Sequence, residues 1–301
     1  MSDYADGTHG DEADNAARLA TVTVIIPCRD ATHLHEAMDS LARQQGTEFD
    51  VIVVDGSSEG DISSRLEAWR DRLELRVVTG ARGAPAGAQR NRGVGASRGR
   101  FLIFVDADDV VAEGYVRAMA ETLRSHEFVC CSTDVQKLNP WNPEGTVPQR
   151  HGLNRSEMRF LPFAGAGTLG IRRSLFEWVG GFDPSLDCYE EADLCWRLQL
   201  AGHDPPTFVA GAVLHIRLEA DRAKRWQKAV LFGRTQALLY RRYRSRGMPR
   251  ESISAAAAAW IGLLQRWVRR LTGQAERGLA WETSLRFGRL QGSFRHRVAF
   301  L

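Results

Sequence analysis

Two short runs of β-branched and aliphatic residues, Thr21 to Ile26 (TVTVII) and Asp50 to Val54 (DVIVV), limit this chain more than any other feature. Neither alternates apolar with polar residues, as a strand with one wet face would, so each reads as a strand buried on both faces. Pro27 closes the first, and Asp55-Gly56-Ser57-Ser58 closes the second. Between them Leu34, Ala37, Met38, Leu41 and Ala42 fall at helical spacing, and Ile62, Leu66 and Trp69 repeat it after the second run. Leu75 to Val78 predicts a third strand, Pro85 to Ser97 a helix opened by its proline, and Phe101 to Val105 (FLIFV) a fourth strand that stops at Asp106. Strand and helix in alternation imply a parallel, doubly wound α/β sheet with ligands beyond the carboxyl ends of its strands. Asp55 and Asp106 both stand at such ends.

The pattern continues with a helix over 113–125 and a strand over 128–132. Residues 134–164 then hold four prolines and Trp141 with little periodicity. A loop of that length in a folded domain is functional or disordered. A short apolar segment (166–171), a helix (173–179), the turn Gly180-Gly181-Phe182-Asp183-Pro184, a helix (190–201) and a last strand (208–215) complete the α/β part. From Asp221 onward the spacing is helical, with one apolar stripe at Trp226, Val230, Gly233, Ala237 and Tyr240 and another at Phe287, Leu290, Phe294 and Val298. The expected organisation is a disordered acidic tail at 1–20, an α/β domain at 21–220 and a basic helical region at 221–301.

Composition narrows the function classes. With 44% hydrophobic and 26% charged residues over 301 positions, the chain is neither fibrous nor disordered as a whole. The longest apolar run, Ala255 to Leu264, reaches about half of the ~20 residues that a helix needs to cross a bilayer. The first twenty residues carry five acids and no apolar stretch, unlike a secretory signal. Five cysteines without metal-ligand spacing, two of them adjacent, point to a reducing compartment, hence the cytoplasm. The net charge of +3 conceals an asymmetry: residues 217–301 hold 19 Arg and Lys against 5 Asp and Glu, and residues 1–216 carry −11. Only Lys137, Lys224 and Lys228 are lysines; the other 37 basic residues are arginine.

The sharpest local signal is FLIFVDADD, a buried strand that delivers Asp106 and Asp108 to its end with Ala107 between, so that both carboxylates can turn to one hard cation. An aspartate-rich turn after a strand is the plain alternative. A phosphohydrolase of the haloacid dehalogenase type, with Asp106 as nucleophile, is a second one. That reading wants its motif near the first strand and a lysine to steady the phosphoryl group, and the only lysine before residue 224 is Lys137. The glycines of Gly93-Val94-Gly95-Ala96-Ser97-Arg98-Gly99 precede a strand and lack dinucleotide spacing.

Company decides. TVTVIIPCRD, VIVVDGSS, GAQRNRGVGASRGRFLIFVDADD, GAGTLGIRR, VGGFDPSLDCYEEADLCWRLQLAG and AVLHIR follow in this order. Together they resemble family 2 glycosyltransferases of the GT-A fold over about residues 21–217. The resemblance implies a nucleotide-binding sandwich with a mostly parallel central sheet, followed here by the helical region. It implies an inverting, metal-dependent transfer from a nucleotide sugar, by expectation a UDP-sugar, to the hydroxyl of a glycan, a lipid-linked intermediate or a natural product. Pro27, Arg29, Asp55, Arg90, Asn91 and Asp106 then hold the donor nucleotide and diphosphate. Asp106 and Asp108 hold Mn2+ or Mg2+, with His215 a further ligand. A cation there acts as a Lewis acid on the leaving phosphate.

The acidic start of the helix, Glu190-Glu191-Ala192-Asp193, is where the resemblance places the base that takes the acceptor proton. Glu191 is the first candidate and Asp193 the second, since this chain has Glu where the family commonly has Asp. Acids in a first turn also favour the helix macrodipole, and Arg197 is spaced to pair with Asp193. Trp141, Gly165 and Gly167 border the acceptor, with Glu190 beside them. A GT-A domain that binds a nucleotide or glycan without turnover is the alternative from the binding class.

For the basic C-terminal region three readings stand: a solvated face, a homodimer contact, or a peripheral contact with the anionic inner face of the cell membrane, as basic amphipathic helices make. No nucleic-acid recognition motif is present.

Overall fold

The structure is a computed structural model that describes residues 22–57, 62–142, 148–154, 158–250, 252–274 and 278–300. The expected tail at 1–20 and Ser58 lie outside the described residues. In chain order the elements that frame the site are β1 (Val22–Cys28), α1 (Leu34–Ala42), β2 (Phe49–Asp55), a 3-10 helix (Ser63–Trp69), β3 (Glu74–Thr79), α2 (Ala86–Ala96) and β4 (Phe101–Phe104). β5 (Val110–Val111), α3 (Tyr115–Ser125), β6 (Phe128–Asp134), β7 (Leu169–Arg172), α4 (Arg173–Trp178), α5 (Glu190–Leu200) and β8 (Thr207–His215) follow. Three helices end the chain: α6 (Arg222–Tyr243), α7 (Ile253–Leu271) and α8 (Leu279–His296).

All seven residues of β1 are buried. β1 runs through Pro27 to Cys28 rather than stopping before the proline. Ile25 accepts from Val105 on the β4 side and Cys28 from Gly56 on the β2 side, so by alternation Pro27 faces the side where pairing with β4 has ended. A missing N–H is tolerated there.

Among the described residues, one sheet of eight strands has the order β3-β2-β1-β4-β7-β6-β8-β5. Its first four strands are parallel, as the alternation predicts. The second half is mixed: β7 runs antiparallel to both β4 and β6, and β5 antiparallel to β8, while β6 and β8 are parallel. The mostly parallel central sheet that the resemblance implies is present, with its antiparallel pairs confined to this second half. The chain reaches β7 from the long connection after β6 and not from a crossover helix, and only a crossover returns a strand in the parallel sense. The short β5, which sequence did not reveal, pairs Val110 with His215 and so lays the Asp106–Asp109 segment beside the end of β8.

Helices cover both faces of the sheet. Val24 and Ile26 pack with Met38, Leu66 and Met119 on one side. Ile25, Ile52 and Phe104 pack with Phe176, Phe182 and Trp196 on the other. That second cluster extends past residue 220 to Tyr240, Tyr243, Met248 and Phe300, so the terminal helices share the core of the α/β part.

α6 and α8 touch through their backbones. A Cβ on Gly233 would run into the Leu285 carbonyl oxygen, and one on Gly288 into that of Val230. The apolar stripe expected on α8 is therefore not its buried face: Phe287 and Phe294 are 46% and 85% exposed, whereas Leu285, Gly288, Arg289, Gly292 and Ser293 are buried. On α6 the expected Trp226 is likewise exposed.

Candidate active site

Asp106, Ala107 and Asp108 leave β4 into a cleft of about 800 Å³, which Pro27 and Arg29 enter from the end of β1. Arg90 from α2 and Trp141 from the long connection also line it. Six of the residues singled out in sequence therefore share one concavity at the carboxyl ends of the strands.

Arg90 is buried on the cleft floor and joins two elements. Its guanidinium donates to Asp106 at 2.5 Å and to Glu190 at 2.6 Å, and it lies 5.7 Å from the Phe182 ring centroid. This chain of charge ties the end of β4 to the start of α5. Glu190, expected on the acceptor side, is instead a buried partner of Arg90. Gly167 lies against the carboxylate of Asp106, where any Cβ would collide. Gly165 donates its N–H to Gln149 at 2.8 Å, which holds that segment in place.

The acidic cluster is electrostatically loaded. Burial and then the neighbouring Asp106 push the carboxyl of Asp108 up. Burial, Asp106 and Asp108 do the same to Asp109, well above the ordinary carboxylate range. Asp109 was not foreseen. It accepts the Arg217 N–H at 2.8 Å, and the Arg217 side chain donates to the Asp108 carbonyl at 3.2 Å and to Glu36 at 2.7 Å. Arg217 is thus a strut under the aspartate loop. Its only signal in sequence is its place two residues after His215.

Several expected residues do other work. Asp55 holds its own turn, accepting from the Ser57 N–H and hydroxyl and from the Ile62 N–H. Asn91, expected at the nucleotide, spends both ends of its amide on the Phe182 backbone, at 2.8 and 3.0 Å, and so fixes the 180–184 turn. Asp193 is fully buried and accepts from Arg197, Arg242 and Tyr243 at 2.6 to 2.7 Å. The pairing with Arg197 is the one that its spacing predicted. Asp193, the second candidate for the base, is thus held as a structural anchor and does not line the cleft. His215 pairs with Asp134 at 2.8 Å. Among the described residues no group of three or more His, Cys, Asp or Glu is gathered around a common metal position, so the expected trio of Asp106, Asp108 and His215 is not assembled. The pairing with Asp134 uses only Nδ1 of the ring, and a metal-ligating histidine commonly holds its other nitrogen on such a carboxylate.

Glu191 does not line the cleft, yet it is half-buried one residue from Glu190 and within the field of Asp106. Burial, then the charge of Glu190, push its carboxyl up to about 8. A carboxyl raised into that range can take a proton from a hydroxyl more readily than an ordinary one.

A profile of the family described as Glycosyl transferase family 2 matches residues 23–180, just over half of the chain. The pre-mycofactocin glycosyltransferase of Mycobacterium tuberculosis is 27% identical over 262 residues, 80% of this chain and 52% of that one. The poly(ribitol-phosphate) β-N-acetylglucosaminyltransferase TarS of Staphylococcus aureus is 32% identical over 109 residues, 35% of this chain and 19% of that one. The chain thus spans about half the length of the first relative and less of the second. Among solved structures, the mannosyltransferase PcManGT of Pyrobaculum calidifontis in complex with GDP-Man and Mn2+ superposes with a TM-score of 0.60 at 15% identity, over 93% of this chain and 87% of that one. S. aureus TarS 1-349 with UDP-GlcNAc does so at 0.54 and 17%, over 93% of each.

Proposed function

The chain belongs to glycosyl transferase family 2, and we propose that it moves a sugar from a nucleotide-sugar donor, a UDP-sugar, to an acceptor hydroxyl by single displacement with inversion. The phosphohydrolase alternative loses its ground with that membership. The observation that carries the proposal is the meeting of Asp106 and Asp108, from the end of β4, with Pro27 and Arg29, from the end of β1, in one cleft.

Two neighbouring carboxylates, of which Asp108 is pushed up by burial and by the charge of Asp106, fit a hard divalent cation, Mn2+ or Mg2+, which takes one or two carboxylates and completes its shell from substrate phosphates and water. Asp106 and Asp108 would hold it, with His215, whose Nδ1 is on Asp134, as the further candidate ligand. When bound, such a cation neutralises charge on the leaving phosphate. Arg90 orients Asp106 and fixes the start of α5. Asp55 steadies the turn at the nucleotide end of the cleft. Glu191 accepts the acceptor's proton as the new bond forms. Trp141 borders the acceptor from one side and the Gly165–Gly167 segment from the other.

Transfer or hydrolysis by the purified chain across a panel of nucleotide sugars with Mn2+ tests this reading. At least one donor should turn over. Donor binding without turnover would instead make the domain a binding module, and phosphate release from simple phosphomonoesters without nucleotide would restore the phosphohydrolase.

A second observation favours a membrane-surface setting for the acceptor. Among the described residues no helix is long and apolar enough to cross a membrane. Ile261, Leu264, Val268 and Leu271 nevertheless form an exposed apolar ridge along α7, with Arg269 and Arg270 beside its end. That is the composition of a helix lying on anionic headgroups.

A further inference from the structure

Of the 40 basic residues in the chain, three are lysines, and two of them, Lys224 and Lys228, line the cleft one helical turn apart on α6. Their position opposes local helix preferences. Cations at a helix N-terminus face the positive end of the macrodipole, and like charges at i and i+4 repel. α6 carries seven basic residues and no acid. Its N-cap Asp221, which accepts the Lys224 N–H at 2.9 Å, is the acid nearest its start. Residues that violate a local rule without a packing reason concentrate at functional sites. No ion pair explains it: both side chains are exposed, and neither ammonium has an ion-pair partner among the described residues. Lys228 lies 5.8 Å from the Phe232 ring centroid. Asp106 and Asp108 line the same cleft, and the Lys228 charge acts on Asp108.

Between two unpaired cations and two carboxylates, the cleft fits a ligand that is itself multiply anionic on one side and metal-binding on the other. A diphosphate has that character. Lysine suits an oxyanion that shifts during reaction, because its three donors rotate and impose no planar fork, unlike the arginine this chain uses elsewhere. We propose, resting on the glycosyltransferase reading above, that Lys224 and Lys228 bind the donor diphosphate and hold it as the leaving group. In that step the bond from the anomeric carbon to the β-phosphate oxygen breaks and its electron pair stays on that oxygen, facing the lysines. The acceptor oxygen bonds to the carbon, and its proton passes to Glu191.

The test is calorimetric binding of UDP, GDP, UMP, GMP and inorganic pyrophosphate to the full chain, once in EDTA and once with Mn2+. The unsubstituted chain should prefer at least one nucleoside diphosphate over its monophosphate. K224Q/K228Q should lower that preference about tenfold or more while monophosphate affinity stays within about twofold, as loss of charge-assisted phosphate contacts implies. K224R/K228R should keep it. K137Q, outside the cleft, should leave it unchanged, and matching melting temperatures establish that the variants fold. An unchanged preference in K224Q/K228Q, or an equal drop in K137Q, overturns the lysine assignment. If the unsubstituted chain binds no nucleoside diphosphate at all, the glycosyltransferase reading fails and the assignment falls with it.

Discussion

The sheet and the terminal helices present opposite relations between sequence and burial. In the sheet, the apolar runs are the buried residues: β1, β2 and β4 lie within a residue or two of where the pattern places them, and the first charged position after each run is where the strand emerges. Where α6 meets α8, glycines (Gly233, Gly288 and Gly292) make the contact and Trp226, Phe287 and Phe294 face outward, while Tyr240 and Tyr243 of α6 are buried in the core of the α/β part. The difference is one of layer spacing. Helices pack on a sheet through bulky side chains, so hydrophobic periodicity reports the contact. Helices that meet backbone to backbone select for the absence of side chains, and on α8 the aromatics of the apolar stripe, Phe287 and Phe294, then mark the free face. The two regions also differ in charge, −11 for residues 1–216 against +14 for 217–301, and they meet at the cleft.

The largest effect should come where the acidic side of that boundary does chemistry. Asp108→Ala removes a charged ligand worth several kcal/mol of transition-state stabilisation, so transfer should fall by about 10³-fold or more. Activity that survives and ignores EDTA would show that the cleft works without the aspartate pair. Glu191→Gln should lower kcat by about 10²- to 10⁴-fold with donor Kd unchanged, since the amide keeps the shape and cannot take the proton. Because the base must be ionised and its carboxyl sits near 8, the rate should rise with pH up to about 8. The same shift has a stability sign. The fold holds this proton more tightly than an unfolded carboxyl near 4.5 does, so the contribution is present at low pH and is lost as pH climbs toward 8. A pH profile flat between 5 and 9, in a chain that otherwise turns over, would remove Glu191 as the base.

Residue types at strand ends were legible because the chemistry and the topology agree there, as with Asp106 and Asp108. What could not be read was which polar groups the fold itself consumes. Asn91 has the right type at the right place, yet the backbone of Phe182 occupies both ends of its amide, and Asp134 takes Nδ1 of His215. Those partners lie 91 and 81 residues away in sequence. Long-range pairings of this kind leave no local pattern. Asp193 shows both sides: its i,i+4 bond to Arg197 is local and was legible, while its contacts to Arg242 and Tyr243 come from α6.

That contrast can be sharpened by mutation. Asp193→Ala strips a buried carboxylate from two arginines and should destabilise the chain by about 3 kcal/mol. The folded fraction should still bind donor normally; a loss of donor affinity at unchanged melting temperature would return Asp193 to the site. Gly288→Ala should cost about 1 to 3 kcal/mol by forcing α6 and α8 apart. The same change at Gly262 on α7, where a Cβ meets open space, should be neutral or slightly stabilising. Equal melting temperatures for the two glycine variants would contradict the backbone contact.

The smallest effect per residue concerns the ridge on α7. Ile261, Leu264, Val268 and Leu271 are 57%, 66%, 52% and 82% exposed, and the surrounding region is strongly basic. Each arginine near an anionic surface contributes ~1 kcal/mol at most, and only within a Debye length of ~8 Å at physiological salt. Apolar burial adds about 25 cal/mol per Å² and is not screened by salt. The two contributions therefore separate experimentally. With phosphatidylglycerol vesicles the chain should sediment at low salt, and a weaker fraction should remain at high salt. Leu264→Ser/Leu271→Ser should abolish the salt-resistant fraction and spare most of the rest. If the unsubstituted chain does not sediment even at low salt, the ridge serves another contact; a concentration-dependent mass by light scattering that Leu264→Ser/Leu271→Ser removes would identify that contact as a second copy of the chain.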